Sequence, residues 1–267
     1  MNIFKEVEPT EFFEIRKTVQ GGPSMSRDSH YHPVYEIYYL TEGSCWQFID
    51  KKSYRLTPGD IACIPAGVIH KTSYDTRLHS RILISCDASY IPSSVKELLD
   101  KNHCFPHSPL TDRAVKDIIS ALEQEYSSPD GFSCDMLRCR LAELLILIAR
   151  SRDTAETPIS ESPIVERAAE YIRKNYVTGV SLSEAAAYCY VSREHLSRTF
   201  KKETGFGFNE YLTVYRLKKA EMLLKSDTSR RIGEIAAACG FSDSNYFSKV
   251  FKRVYKMSPG KARKAVE

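Results

Sequence analysis

The apolar positions of the chain follow two different spacings on either side of residue 90. From about residue 12 to residue 86, apolar and polar residues alternate, and glycine-containing turns interrupt them at residues 21–22, 42–43, 58–59 and 66–67. Such alternation indicates short, half-buried strands, and regularly spaced short strands are typical of a small barrel. We therefore predict a small N-terminal β-barrel.

Between residues 93 and 150, apolar residues recur every three or four positions, which predicts helices that flank the barrel. The last of these helices has a broad apolar face. The residues of that face are Leu137, Leu141, Leu144, Leu145 and Ile148. The face fits a homodimer contact and packing on the chain's own barrel equally well.

A polar segment divides the chain into two domains. Residues 151–163 contain proline and have no apolar periodicity, which is typical of a linker. Every segment after it has helical spacing. The prediction is a multidomain protein with a barrel domain over residues 1–150, a linker over 151–163 and an all-α domain over 164–267.

The all-α domain contains two copies of one pattern. Residues 181–202 align with residues 231–253 at an offset of 50, which becomes 51 after the turn. In each copy a short helix with small alanines is followed by a tight turn and a second helix. Gly240 is expected to supply a positive φ, and Ser192 and Ser242 to cap the second helices. Such a pair is a helix-turn-helix unit, whose second helix enters the major groove of DNA.

The outward faces of the two second helices carry groups that suit DNA. Polar residues near each helix start have the geometry to read base edges, and Lys and Arg further along suit phosphates. The predicted DNA-binding residues are Arg193, Glu194, His195, Ser197, Arg198, Lys201 and Lys202 in the first unit and Ser244, Asn245, Lys249, Lys252 and Arg253 in the second. Ordinary solvated charges are the alternative interpretation.

Charge is distributed unevenly between the two domains. Residues 161–267 contain 20 Lys and Arg against 12 Asp and Glu, while the remainder of the chain is net negative. Such segregation favours a polyanionic partner for the all-α domain. Between the two copies, residues 208–224 are predicted to form one helix with apolar residues on both sides. This helix would hold the two second helices in successive major grooves, about 34 Å apart.

The all-α domain resembles the DNA-binding domain of the AraC/XylS family of transcription regulators. The matching motif of the second copy consists of Ile235-Ala236, Gly240-Phe241, Tyr246-Phe247, Phe251-Lys252 and Ser258-Pro259. Lys256 departs from the family pattern, where Gly is usual, as does Ala262, where an aromatic residue commonly precedes Arg263. The resemblance implies a regulator that binds double-stranded DNA, contacts RNA polymerase, responds to a small-molecule effector and forms a homodimer.

The N-terminal domain resembles the cupin barrels, as do the sensor halves of AraC-type regulators. Residues 30–43 resemble the first cupin motif, without its leading Gly, and residues 59–70 resemble the second. On a strand, His30, His32 and Glu36 would share one face, and His70 from another strand can converge on them. Metal-binding cupins use these positions, and the set would suit Mn, Fe, Ni or Zn. The alternative is a hydrogen-bonded pocket floor without metal.

Aromatic residues are frequent in the predicted barrel. They include Tyr31, Tyr35, Tyr38, Trp46, Phe48 and Tyr54. Those that face inward would suit a sugar or another small polar effector, although an aromatic core has the same sequence pattern.

The chain is expected to be cytoplasmic and not membrane-bound. Its N-terminus lacks the pattern of an export signal, and its longest apolar run is too short to cross a bilayer. Its eight scattered cysteines fit reduced thiols. The favoured function is a ligand-responsive regulator, not an enzyme. The alternatives are a metal-dependent cupin enzyme with a DNA-binding tail and a scaffold whose helical domain binds protein.

Overall fold

A computed structural model of the chain describes residues 12–21, 32, 34–74, 76, 78–151, 162–227, 229–255 and 257–264. Most of the predicted linker, residues 152–161, lies outside this described part, so the linker's bounds stay a prediction. The helices on either side of it end at Ser151 and begin at Pro163.

The N-terminal domain is built from two antiparallel sheets. The strands in chain order are β1 (Phe13–Gly21), β2 (Tyr35–Glu42), β3 (Cys45–Ile49), β4 (Lys52–Leu56), β5 (Ile61–Ile64), β6 (His70–Tyr74), β7 (Leu78–Cys86) and β8 (Cys104–Phe105). One sheet has the order β1-β7-β2-β5-β8, and the other has the order β4-β3-β6. Leu40 and Ile64 of the first sheet meet Cys45, Ile49 and Leu56 of the second in one fully buried core. The predicted barrel domain is confirmed.

In strand β2, successive side chains face opposite sides of the sheet. Tyr38 and Leu40 face the core between the two sheets, whereas Ile37 and Tyr39 face outward. Because successive side chains of a strand point to opposite faces, Glu36 lies on the inner side with Tyr38. Both faces of this strand are therefore covered, one by the opposite sheet and the other by helices.

Helices cover the outer face of the five-stranded sheet, as predicted. They are α1 (Ser93–Lys101), α2 (Asp112–Ser127) and α3 (Ser133–Ser151). Leu141, Leu144 and Leu145 of α3 are fully buried, in the same core as Ile37 and Tyr39 of the sheet. The broad apolar face of α3 thus packs within its own chain, which is the second of the two interpretations of the sequence.

The C-terminal domain is all-α with two helix-turn-helix units, as predicted. Its helices are α4 (Pro163–Asn175), α5 (Leu182–Cys189), α6 (Arg193–Thr204), α7 (Phe208–Ser226), α8 (Ile232–Ala238), α9 (Ser244–Tyr255) and α10 (Pro259–Lys264). Helices α5 and α6 form the first unit, and α8 and α9 form the second. Helix α7 connects them.

The two domains pack against each other through the three-stranded sheet. Phe48 and Ile69 belong to the buried core of the first unit although they lie in the barrel domain. The ring of Phe48 meets the edges of Phe206 and Tyr211, with centroid distances of 6.0 and 5.3 Å. The Tyr211 hydroxyl also donates a hydrogen bond to the backbone carbonyl of Asp50, at 3.0 Å. Two residues of the barrel domain thus belong to the hydrophobic core of the first unit.

Candidate DNA-binding surface and barrel interior

The first unit has the turn and cap that the repeat predicts. Ala185 and Ala186 of α5 are buried at 0% and 3% exposure, and their small side chains let α6 cross closely. Tyr190 ends α5 with a φ of 58°, the left-handed conformation that reverses the chain. The hydroxyl oxygen of Ser192 then accepts a hydrogen bond from the backbone N–H of His195 at 3.1 Å, which caps α6 as predicted.

The second unit has the predicted glycine turn but a different cap. Gly240 adopts a φ of 82°, and a Cβ at this position would lie 2.5 Å from the carbonyl oxygen of Tyr176. Helix α9 begins one residue later than expected, and the carboxylate of Asp243 accepts from the N–H of Asn245 at 2.7 Å. The prediction that Ser242 caps this helix is wrong, because the extra residue of the second copy lies in this turn.

The predicted DNA-binding residues lie on the outer faces of α6 and α9. All but one of them are exposed, namely Arg193, Glu194, His195, Ser197, Arg198, Lys202, Ser244, Asn245, Lys249, Lys252 and Arg253. The exception is Lys201, which is half-buried. Its ammonium donates to the carbonyl oxygen of Gly205 at 2.8 Å and lies 3.7 Å from the carboxylate of Glu210. Lys201 thus has partners within the chain, at the end of α6 that faces the barrel.

Helix α7 contacts both units, as its two apolar sides predict. Tyr211 and Leu212 belong to the core of the first unit, and Leu217 and Leu224 belong to the core of the second. Met222, part of the same apolar pattern, is 52% exposed. One continuous helix therefore sets the distance and angle between α6 and α9.

Three of the four predicted pocket residues converge in the barrel. The Nε2 atoms of His32 and His70 lie 3.1 and 3.2 Å from the two carboxylate oxygens of Glu36. Glu36 is on β2 and His70 on β6, as predicted, but His32 precedes β2 and does not lie on a strand. His30, the fourth predicted residue, lies outside the described part of the chain.

Backbone carbonyls fix the orientation of both imidazoles. The Nδ1 atoms of His32 and His70 lie 3.1 and 2.9 Å from the carbonyl oxygens of Val34 and Val68. Because a carbonyl only accepts, Nδ1 of each ring is the donor in these contacts, and Nε2 of each ring is left to face the Glu36 carboxylate. All three candidate ligand atoms lie within 4.8 Å of one another. This donor set, with a carbonyl behind each imidazole, fits a divalent transition metal.

The same contacts shift the acidity of two members of this cluster. Burial acts to raise the pKa of Glu36, but hydrogen bonds from His32 and His70 outweigh it and hold the pKa far below its usual value. Burial likewise acts to lower the pKa of His32, and the Glu36 carboxylate raises it above its usual value instead. Glu36 is therefore a carboxylate at neutral pH, which attracts a cation.

The aromatic residues of the barrel domain belong to different hydrophobic cores. Tyr38 and Tyr54 face the interior between the sheets. Tyr35 faces the covering helices, and Phe48 faces the first helix-turn-helix unit. Tyr31 lies outside the described residues. Only part of the aromatic set is thus available to a ligand within the barrel.

Comparison with known proteins assigns the chain to a family. Residues 13–146 match the AraC-like ligand binding domain, and residues 185–265 match a helix-turn-helix domain. The chain belongs to the AraC family of transcription regulators. The HTH-type transcriptional activator RhaR of Pectobacterium atrosepticum is 27% identical over 244 residues, which are 88% of this chain and 85% of RhaR.

Two solved structures are also similar. ToxT from Vibrio cholerae O395 is 15% identical, with a TM-score of 0.42 over 95% of this chain and 98% of ToxT. The C-terminal domain of AraT, a response regulator from Geobacillus stearothermophilus, is 40% identical, with a TM-score of 0.37 over 39% of this chain and 86% of the AraT domain.

Sequence reasoning missed an interdomain contact of this AraC-family regulator. Lys71 of β6 is 5% exposed, and its ammonium donates to the carboxylate of Glu210, at the start of α7, at 2.8 Å. The hydroxyl of Ser53 donates to the carbonyl oxygen of Glu203 in α6 at 2.9 Å. No local pattern could show this, because the partners are far apart in the sequence.

Strand β6 has one face in the barrel and the other on the first unit. His70 reaches Glu36 on the inner side, whereas the next residue, Lys71, reaches Glu210 on the outer side. On the inner side again, the hydroxyl of Thr72 donates to the side-chain oxygen of Gln47 at 2.6 Å. A shift of this strand would move both sets of contacts together.

Proposed function

We propose that this AraC-family regulator binds double-stranded DNA sequence-specifically through α6 and α9. The proposal rests on one observation, that both helices carry exposed polar side chains at their starts and exposed basic residues further along. In the first unit these include Arg193 and Arg198, and in the second Asn245 and Lys249. Asn is suited to adenine and Arg to guanine or phosphate. Two such helices on one rigid connecting helix suit two successive major grooves.

Single alanine variants at Arg198 and Lys249 test this proposal. Each is expected to weaken DNA binding about uniformly across sequences and to reduce the slope of log affinity against log salt by about 1. Lys96→Ala is the matched control, since Lys96 is an exposed lysine on α1 of the barrel domain. Unchanged DNA binding in both variants would favour the scaffold interpretation of the helical domain.

We infer that the regulator acts in the cytoplasm as a homodimer that contacts RNA polymerase. These proposals are supported by membership in the family. Among the described residues, no helix is long and apolar enough to span a bilayer. Because the apolar face of α3 packs within its own chain, a dimer contact would use another surface. Light scattering coupled to gel filtration measures the oligomeric state directly.

We infer further that a small-molecule effector in the barrel controls the affinity for DNA. Strand β6 supports this coupling, because it contacts the barrel interior through His70 and the first unit through Lys71. An effector that favours one position of β6 would change the free energy of docking between the barrel and α6. The measurement is DNA affinity with and without effector, in the wild type and in Lys71→Met.

We propose a divalent metal at His32, Glu36 and His70 as a second candidate role, with His30 as the predicted fourth ligand. The orientation of both Nε2 atoms toward one carboxylate supports it. A bound metal would hold an oxygen of the effector by direct coordination. Metal analysis after metal-supplemented purification should find close to one ion per chain, and much less in His70→Ala. Less than about one-tenth per chain would contradict the proposal.

The comparisons favour regulation over the enzyme alternative, because the similar proteins are named transcriptional activators. We propose that the chain is not an enzyme. Turnover of candidate substrates by a fully metal-loaded preparation would contradict this, and its absence across metals would agree with a purely regulatory barrel.

A further inference from the structure

A positively charged side chain lies within the barrel, apart from the His–Glu cluster. Arg81 is on β7, opposite Leu40 of β2, on the inner side of the strand with Leu83. Its guanidinium carbon lies 5.4 Å from the ring centroid of Tyr38 and 5.9 Å from that of Tyr74. The guanidinium is thus held between strands β2, β6 and β7 of the two sheets.

The surroundings of Arg81 are polar and buried. The hydroxyls of Tyr38 and Tyr74 share a hydrogen bond of 2.8 Å, and the His79 ring stacks on Tyr74 at a centroid distance of 3.5 Å. His79 and Gln47 are each 1% exposed. Within the described part of the chain, Arg81 Nε and Gln47 Nε2 donate no hydrogen bond. Buried donors without acceptors cost free energy, so these groups favour a ligand that brings oxygen atoms.

The charge of Arg81 has no anionic partner among the described residues. The carboxylate that also faces the barrel interior, Glu36, is already in contact with His32 and His70. Burial and the nearby Arg81 lower the pKa of His79, which leaves that ring neutral at pH 7. The Tyr38 and Tyr74 rings attract the guanidinium, and their hydroxyls accept hydrogen bonds from it. Neither group is an anion, and a cation removed from water is fully compensated only by an anion with hydrogen bonds.

We propose that Arg81 binds the carboxylate of an acidic, hydroxylated effector inside the barrel. The inference rests on the proposed function, in which the barrel holds the effector. A guanidinium binds a carboxylate through two parallel hydrogen bonds, and the Gln47 amide and the Tyr38 and Tyr74 hydroxyls suit the hydroxyl groups of such a molecule. Aromatic residues alone favoured a sugar. The charge of Arg81 inside the barrel favours the acid form of a sugar.

The test compares acids with their neutral counterparts on the full-length protein. Thermal unfolding is followed in sodium glucuronate, galacturonate and gluconate, each against glucose or galactose at equal sodium concentration, with glucose 6-phosphate as a phosphate arm. At least one carboxylate is expected to raise the Tm in a saturable way, while the neutral sugars do not. Arg81→Met should weaken the apparent affinity at least about tenfold, and Arg55→Met, on the exposed part of β4, should retain it.

Several results would overturn the proposal. They are a Tm that no carboxylate raises above the sodium chloride control, equal stabilisation of wild type and Arg81→Met, or stabilisation by the phosphate ester alone. Without ligand, Arg81→Met is expected to raise the urea midpoint, because it removes a partly buried charge that no anion compensates. A lower midpoint would assign Arg81 a structural role instead. Specific DNA binding by the same wild-type preparation tests the proposed function separately.

Discussion

The two helix-turn-helix units have similar sequences but different surroundings. The first shares its core with the barrel domain through Phe48 and Ile69. The core of the second, which includes Leu224, Phe247 and Phe251, is built from C-terminal residues, within helices α7 to α10 and the turn before α9. The repeat therefore supplies two similar helix-turn-helix units, and among the described residues only the core of the first includes residues of the sensor domain.

This difference between the units separates the response to an effector from the binding of DNA itself. A change in the barrel would reach the first unit directly, through the packing of Phe48 and Ile69 and through the Lys71–Glu210 ion pair. The second unit would receive the same change indirectly, through α7 and through the contact of its Gly240 turn with Tyr176. We therefore expect alterations at the interface to change effector response, and equivalent alterations in the second unit to change binding with and without effector alike.

The largest expected effect is on the stability of the cores of the two helix-turn-helix units. Phe48→Ala and Phe251→Ala each remove a fully buried ring and should lower the free energy of unfolding by about 3–5 kcal/mol. Trp46, the single tryptophan, lies in the barrel domain and reports on its unfolding by fluorescence. In urea, Phe48→Ala should shift the Trp46 transition and the far-ultraviolet circular dichroism transition. Phe251→Ala should shift only the latter.

The turns of the two units offer the next comparison. Gly240→Ala places a Cβ 2.5 Å from a backbone oxygen at a φ of 82°, whereas Tyr190 already carries a side chain at a φ of 58°. Gly240→Ala should destabilise by about 1–3 kcal/mol, and Tyr190→Ala by less than about 1 kcal/mol. Equal effects in urea unfolding would contradict a requirement for glycine in the second turn that the first turn does not share.

The contribution of each unit to base recognition can be measured separately, as a change in the preferred DNA sequence. Asn245→Ala in the second unit and Arg193→Ala in the first should each cost about 1–3 kcal/mol of specific binding and relax preference at different positions of the DNA site. Selection of bound duplexes from a random pool, followed by sequencing, gives the positions. If both variants relax the same positions, the two helices do not occupy separate grooves.

The smallest effect concerns the interdomain ion pair. Lys71→Met should change global stability by less than about 1 kcal/mol, because the Glu210 side chain is 43% exposed and remains hydrated. Amide hydrogen exchange should nevertheless quicken at the end of α6 and the start of α7, and stay unchanged in α9. Faster exchange throughout the domain would contradict a contact confined to the first unit.

The helical domain could be predicted from the sequence more completely than the barrel. Each feature occurs in both copies of the repeat, so the units, the turns and the exposed faces can be predicted. The structure differs at the cap, which is Asp243 and not Ser242, and at Lys201, which is half-buried with partners in the chain. In the barrel domain, the alternation of apolar and polar residues predicts which face of a sheet a side chain lies on, but not which other side chains it contacts. It therefore left Arg81 unnoticed and placed His32 on a strand that begins only at residue 35.

Hydroxyl-radical footprinting on a selected high-affinity duplex tests most directly whether both units bind DNA. The structure predicts two protected regions on one face of the duplex, centred about 10–10.5 base pairs apart, with binding about 10³-fold or more tighter than to scrambled DNA. Lys249→Ala should weaken protection of one region more than of the other. A single protected region, or protection without sequence preference, would contradict the account of two reading helices on one connecting helix.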